Sequence, residues 1–575
     1  MKWCSVTSCF LCCFELAASP RTSATELQVN VRPVFDGEPL RLDSLRYQNA
    51  AGETLSFTRL SYLLGDLALE RADGSWQEFP GQFAWLDAGR EQSVWQLKNV
   101  PEGKYRALRF QVGLDPATNA ADPAQYPPEH SLNANHNGLH WSWQGGYIFL
   151  AMEGHYRIGN GEISGFAYHL ARDANRTRIH LAATLDLTHD GAVVLDFDFA
   201  RLFNAPRPLS LAKDGTATHS RAGDAVASAM VANLPGAFCV RQVLSAAPAL
   251  SLPSPVRPLY LPEHFTPYRF TVSRTFPIPE LPRDNPLLEE RVALGKRLFN
   301  ELALSSNNRL SCASCHQEER LFSDPRRFSL GVQDQVGTRQ SMPLFNLAWK
   351  SSFFWDGRAP SLRAQALMPI QDPTEMGETL EHVKGKLRSL ACYPPLFAAA
   401  FGTPEISGEK IGLALENYLL TLTSSDAKLD RAMQGKATLT EREKRGFELF
   451  MTEYEPRTGQ RGADCFHCHG GALFSDHQFH NNGLSATEAD AGRFRVTNLE
   501  ADRSKFATPS LRNIERTSPY MHDGRFQTLD EVVNHYSTGV QRSPTLDPNL
   551  AKHPAGGLQL SAEEKQALVA FLKTL

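Results

Sequence analysis

Ser311-Cys312-Ala313-Ser314-Cys315-His316 and Asp464-Cys465-Phe466-His467-Cys468-His469 are the two stretches from which the rest of this chain is read. Two thiols at this spacing form thioethers with the vinyl groups of one haem, and a histidine directly after them reaches the iron from the same face. A zinc ribbon brings its two cysteine pairs much closer in sequence, and a thioredoxin-like pair has no need of the trailing histidine. Two covalently attached haem c groups are therefore expected, one on Cys312, Cys315 and His316 and the other on Cys465, Cys468 and His469.

The frame around the motifs is duplicated. Gly295-Lys296-Arg297-Leu298-Phe299 precedes the first and Gly446-Phe447-Glu448-Leu449-Phe450 the second, and Leu-Phe-Ser-Asp follows each, at 321–324 and 473–476. Apolar residues in this half recur at helical spacing, as in Leu287, Val292, Leu294 and Leu298. Ser561 with Glu564 three residues on is a capping box that opens a last helix. Two mainly α-helical cytochrome c-type domains, 285–435 and 436–575, are expected.

Upstream the period changes to two. Leu108, Phe110, Val112 and Leu114 alternate, as do Ile179, Leu181, Ala183, Leu185 and Leu187, and again Val193, Leu195, Phe197 and Phe199. His189-Asp190-Gly191 between the last two runs predicts a hairpin, and residues 25–245 are expected to close as an antiparallel β-sandwich. Prolines recurring from Pro248 to Pro286 predict an extended, stiff linker over 246–284.

A chain of 575 residues exceeds what one core organises, so a multidomain protein is expected. Its formal charge of −4 offers no basic surface for nucleic acid or an anionic membrane. Residues 1–24 have the outline of a secretory signal: Lys2, the apolar run Phe10-Leu11-Cys12-Cys13-Phe14, interrupted by Glu15, then small residues. No other long apolar segment suggests a membrane span. Of ten cysteines, four lie in this leader and four in the haem motifs, leaving Cys239 and Cys392, which excludes a disulfide framework. Export to the periplasm as a soluble protein is the expectation.

Over 285–575 the sequence resembles the di-haem cytochrome c peroxidase family. The resemblance is carried by Phe354-Trp355-Asp356-Gly357-Arg358, the run from Gln365 through Pro369 to Glu375-Met376, Thr508-Pro509-Ser510-Leu511-Arg512-Asn513 and Pro519-Tyr520-Met521-His522-Asp523-Gly524. It implies a peroxide site at the first haem, lined by Gln365, Pro369 and Glu375, with Glu375 shuttling a proton between the two peroxide oxygens. It implies that Trp355 lies between the haems as an electron relay. It also implies calcium held through Thr517 and Pro519, with Gln340 where relatives have Asn.

Two departures sharpen the resemblance. Many members place a blocking histidine soon after the first motif, yet none occurs here between His316 and His382, which predicts an open first iron. Ordinary members place a Met ligand fourteen residues beyond the histidine of His522-Asp523-Gly524, and that position is Tyr536. This is similar to the MauG and MbnH branch, where tyrosine is the second axial ligand; Met521 and His535 are the rivals. A phenolate is a hard anionic donor that favours oxidised iron. The exposed tryptophan that MauG carries just before its second motif is replaced by Ala463, so another exit route for electrons is required.

Over about 27–235 the chain resembles the MbnP family of exported copper-binding proteins, through Val112-Gly113-Leu114-Asp115, Trp141-Ser142-Trp143 with Gly146-Tyr147, and Phe166-Ala167-Tyr168-His169. This implies copper, with His136, His140, His169 and His219 as candidate ligands, and a tryptophan that a partner di-haem enzyme oxidises. The combination predicts an oxidoreductase that uses hydrogen peroxide to oxidise a protein tryptophan, in its own copper-binding domain or a related one. The competing readings are a peroxide-scavenging cytochrome c peroxidase fed by a small electron-donor protein, and an electron-transfer or copper-delivery protein.

Overall fold

Strand Ala24–Phe35 sends Leu27, Val29 and Val31 to one face, and all three are fully buried, so the strand needs an apolar partner on that side. It pairs antiparallel with Val94–Pro101 and parallel with Gly191–Asp198, which in turn pairs with Phe238–Leu244. A second, larger sheet runs in the order Thr177–Leu187, Gly103–Val112, Glu53–Arg71, Ile148–Ile158, Ser164–Ala171, Ala217–Thr218. The inward faces of both sheets share one core that holds Leu108, Phe110, Ile179, Val193, Leu195 and Phe197. The computed structural model describes residues 24–141, 145–245, 259–455, 459–487 and 489–575; the expected leader up to residue 23, and Trp143, lie outside them.

The alternation of the two runs around His189-Asp190-Gly191 is as read, but they do not form a hairpin. Thr177–Leu187 pairs with Gly103–Val112 (Ile179 opposite Phe110), whereas Gly191–Asp198 pairs with Ala24–Phe35 in the other sheet. The turn therefore crosses from one layer of the sandwich to the other. Alternation specifies which face of a strand is buried and says nothing about which neighbour it pairs with. The parallel pairing of Gly191–Asp198, together with Ala167 opposite Ala217, makes the sandwich mixed rather than purely antiparallel.

The proline-rich stretch is extended where it is described, but it is no free tether. Tyr260, Phe270, Val272 and Leu281 pack on the core of the first helical domain, Phe276 is part of that core, and the Trp349 indole donates to the Pro277 carbonyl at 2.7 Å. Helices Glu289–Phe299, Leu362–Gln371, Leu380–Ser389, Tyr393–Phe401 and Gly408–Leu420 surround this core. A separate core belongs to Glu441–Phe450, Leu529–Asn534 and Ala562–Leu572. The last of these helices opens on the expected box: Ser561 accepts from the Glu564 amide at 3.2 Å and Glu564 accepts from the Ser561 amide at 2.8 Å. No described helix is long and apolar enough to cross a membrane.

The repeated glycine has a structural reason in both domains. A Cβ on Gly295 would stand 2.0 Å from the Ala414 carbonyl oxygen, and one on Gly446 would stand 1.9 Å from that of Ala567. Each glycine lets the helix before a haem motif cross a later helix, Gly408–Leu420 or Ala562–Leu572, backbone to backbone. The sheet domain is locked to the second helical domain just as closely, since a Cβ on Gly165 would meet the Pro548 carbonyl oxygen at 1.9 Å. Across the same seam the His155 Nε2 lies 2.8 Å from the Leu546 carbonyl, and Asn549 donates to Glu153 at 3.0 Å.

Candidate functional site

Each C-x-x-C-H histidine is oriented in the same way. His316 Nδ1 lies 2.9 Å from the Phe322 carbonyl and His469 Nδ1 lies 3.0 Å from the Phe474 carbonyl. An Nδ1–H donated to a carbonyl fixes the tautomer and leaves Nε2 with a free lone pair, the form an imidazole needs to bind iron. Burial holds both rings below the ordinary histidine range, hence neutral.

The duplicated Leu-Phe-Ser-Asp now has a cause. Phe322 and Phe474 both sit in the left-handed region, at φ 59° and 52°, a conformation that costs a bulky residue about 1–2 kcal/mol. It is the conformation from which the carbonyl turns to the histidine. What holds it is packing of the ring: Phe322 packs edge-on against Phe299, and Phe474 against Phe450, each at 6.0 Å and 75°. The repeated Leu-Phe before each motif thus supplies the anvil for the repeated Phe after it.

The donor set fits haem c and not a four-cysteine zinc ribbon. The two cysteine pairs lie in different domains, and burial pushes the Cys312 thiol up to about 12 and that of Cys468 up to about 11. A zinc site needs thiolates, whereas a thioether sulfur is neutral and tolerates burial. Cys239 and Cys392 are exposed free thiols.

A cavity of about 580 Å³ adjoins Cys312, Cys315 and His316 and is lined by Gln365, Pro369, Glu375, Arg358 and Trp355. His316 is the only histidine among the described residues lining it. Gln365 and Pro369 project from helix Leu362–Gln371, and Glu375 from the turn after it. Burial, aided by Asp372 and opposed by Arg358, pushes the Glu375 carboxyl up to about 7. A group that is half-ionised near neutrality can both take and return a proton.

A second cavity, of about 210 Å³, is lined by Cys465, Cys468, His469, Met521 and Tyr536. Tyr536 lies in a single π-helical turn, His535–Gly539, an irregularity frequent at functional sites. The Asn482 amide lies 3.4 Å from both the Tyr536 hydroxyl and the Met521 sulfur. Burial pushes the Tyr536 phenol up to about 12, so only a strongly held cation would take its oxygen as phenolate. His535 is engaged elsewhere, with Nε2 3.0 Å from the Asn482 carbonyl, and does not line the cavity.

Trp355 is buried and lines both cavities. Its indole donates to the Gln340 carbonyl at 2.8 Å, and its own carbonyl accepts from Ala507 at 2.7 Å, so the ring is pinned from both haem domains. Gln340, Thr517 and Pro519 all line the second cavity, with the Gln340 amide 2.8 Å from the His522 carbonyl.

Of the four histidines expected to bind copper, the structure joins two. Parallel pairing of Tyr168 with Thr218 puts the following residues side by side, and His169 Nδ1 stands 3.2 Å from His219 Nε2. His136 instead packs on Trp85 and His140 on Tyr147, each at 4.7 Å, because the short helix Ala134–Asn137 and its exit cover a different apolar cluster. Trp141 is buried and stacks on His219 at 5.5 Å and 28°. The other face of this group is formed by the second haem motif: His219 meets Phe466 at 5.5 Å and His467 at 5.1 Å. Sequence reasoning passed over Phe466 and His467, because the two residues between the motif cysteines carry no constraint of their own.

Residues 289–438 match the family model described as di-haem cytochrome c peroxidase, and residues 24–220 match the MbnP family model. The methylamine utilization protein MauG of Methylorubrum extorquens is 39% identical over 297 residues, which is 51% of this chain and 80% of that protein. The cytochrome c551 peroxidase of Pseudomonas aeruginosa is 32% identical over 313 residues, 52% of this chain and 83% of that protein. A solved structure of a MauG-like protein associated with microbial copper homeostasis is 35% identical, covers 54% of this chain and 95% of that one, and has a TM-score of 0.49.

Proposed function

The chain belongs, through its C-terminal half, to the di-haem cytochrome c peroxidase and MauG family, and from that premise we propose that it uses hydrogen peroxide to oxidise a tryptophan of its own sheet domain, Trp141. Held on Cys312, Cys315 and His316 and on Cys465, Cys468 and His469, the two haem groups supply the redox chemistry of peroxide reduction. The remaining work belongs to the protein. Glu375 takes the proton of bound peroxide and returns it to the departing oxygen, while Gln365 and Pro369 shape the pocket around it. Trp355, in the wall shared by the two cavities, carries electrons between them. Tyr536 would help to hold the second haem by offering its phenol oxygen as a donor.

The observation that carries this reading is the ring sequence Trp141, His219, Phe466, in which successive centroids are 5.5 Å apart and the last ring lies between the two cysteines of the second haem motif. It supplies an exit where Ala463 removes the one known from MauG. The same reading makes the sheet domain a copper-binding module, the leader a periplasmic address, and Gln340, Thr517 and Pro519 a calcium site. Calcium there would brace the wall that holds Trp355, so prolonged chelation with EGTA is expected to slow peroxide-driven oxidation and readdition of calcium to restore it.

The deciding experiment is peptide mass spectrometry of the full chain after haem maturation and exposure to hydrogen peroxide. Trp141 is expected to carry the added mass of an oxidised indole in the wild type and to be unmodified in Glu375→Gln. Oxidation in both, or steady turnover with reduced cytochrome c and no change in protein mass, would overturn the reading. The second result favours peroxide scavenging, the activity named for the P. aeruginosa relative.

A further inference from the structure

At the seam between the sheet domain and the second haem domain, one ring nitrogen from each of His169, His219 and His467 lies within 4.8 Å of the other two. Their side chains are 3%, 6% and 2% exposed. Neither the peroxide pocket nor Trp355 uses these rings.

The hydrogen bonding of the first two rings turns one nitrogen of each inward. His169 Nε2 lies 3.0 Å from Glu153 Oε1, and His219 Nδ1 lies 3.0 Å from Glu453 Oε2. Both carboxylates are ion-paired, Glu153 with Arg59 at 2.9 Å and Glu453 with Lys552, and an ionised carboxylate only accepts. A ring that donates to its carboxylate turns its other nitrogen inward. Those nitrogens, His169 Nδ1 and His219 Nε2, face each other at 3.2 Å. A cation bound by both would sit between them. Carboxylates that take the outer N–H of a histidine are the usual means of aiming its inner nitrogen at a metal.

The third ring comes from the other domain. His467 sits between Cys465 and Cys468, with its centroid 5.4 Å from that of His169, and Glu453 Oε2 reaches its Nε2 at 3.0 Å. We infer that His169, His219 and His467 together hold one copper or zinc ion, so that the haem domain completes the metal site of the sheet domain. Three buried imidazoles suit these ions, and calcium or magnesium would demand oxygen donors instead. The inference rests on reading the sheet domain as a metal-binding module. Its consequence is that metal occupancy, docking of the two domains and the loop that anchors the second haem are linked through a single side chain.

The test uses the full-length protein carrying both haems, without peroxide, titrated with Cu(I) and separately with Zn(II) against a competing chelator. Elemental analysis follows desalting, and X-ray absorption at the metal edge counts the imidazoles. At least one of the two ions should be retained as a single ion per chain with three imidazoles. His467→Gln and Glu453→Gln should each weaken it by about 10–100-fold or more, and His136→Gln should leave it unchanged. Retention of neither ion, a count of two imidazoles in the wild type, or undiminished binding by His467→Gln with the absorption of both haems intact would overturn the inference. Because no peroxide is present, these outcomes are distinct from a failure of Trp141 oxidation.

Discussion

Glu375→Gln is expected to slow the reaction with hydrogen peroxide by about 10²–10⁴-fold, the usual contribution of a positioned proton carrier. Stopped-flow absorbance of the haem bands measures it directly. Glutamine keeps the shape and polarity of the side chain and removes only its capacity to accept and return a proton. The pH profile gives a second, sharper readout. Burial, reinforced by Asp372, pushes this carboxyl up to about 7, and only the ionised form accepts a proton, so the wild-type rate should rise through about pH 7 and then level. The glutamine variant should show no such inflection. A variant with the wild-type rate and the same inflection would remove Glu375 from the chemistry. Loss of folding cannot imitate the result. A carboxyl whose pKa is raised by folding makes the native state less stable as pH rises from the unfolded value, about 4.3, to the folded one. Removing the charge therefore relieves a cost at neutral pH.

Gly446→Ala is expected to destabilise the holoprotein by about 3 kcal/mol or more, at the upper end of overpacking effects. The added Cβ would lie 1.9 Å from the Ala567 carbonyl oxygen and 2.7 Å from the Phe571 Cβ, so helices Glu441–Phe450 and Ala562–Leu572 would have to part. The sign discriminates, since alanine in a helix interior is otherwise better than glycine by about 1 kcal/mol. Chemical denaturation followed by haem absorbance checks it, and a variant as stable as the wild type would show that the crossing is not tight. Parting these helices also withdraws Phe450 from Phe474, whose backbone holds His469 in place.

How much of this could be read beforehand varied with the kind of constraint. The two haem motifs, the helical half and the duplication were legible because they are local patterns: fixed spacings and repeated tetrapeptides. The repeated Gly and Phe marked their importance without their reasons, which lie in a helix more than a hundred residues away (Ala414, Ala567) and in a backbone angle. The hairpin at His189-Asp190-Gly191 was misread because both strands bury the same face into the same core from opposite sheets. Among the copper candidates, His136 and His140 were attractive for their density in sequence, whereas His169 and His219 are brought together by strand register fifty residues apart. His467 was invisible because the two imidazoles it meets belong to another domain.

The backbone contact of Gly165 with Pro548 bears on molecularity. The two halves of this chain do not have to find each other by diffusion, since at Gly165 they meet with no room for even one more methyl group. Whatever passes across it should do so at a rate independent of protein concentration, with no association equilibrium for salt or dilution to disturb. On the proposed function, a catalyst joined to its target in this way acts on that target once per chain, and the natural measure of its output is a yield.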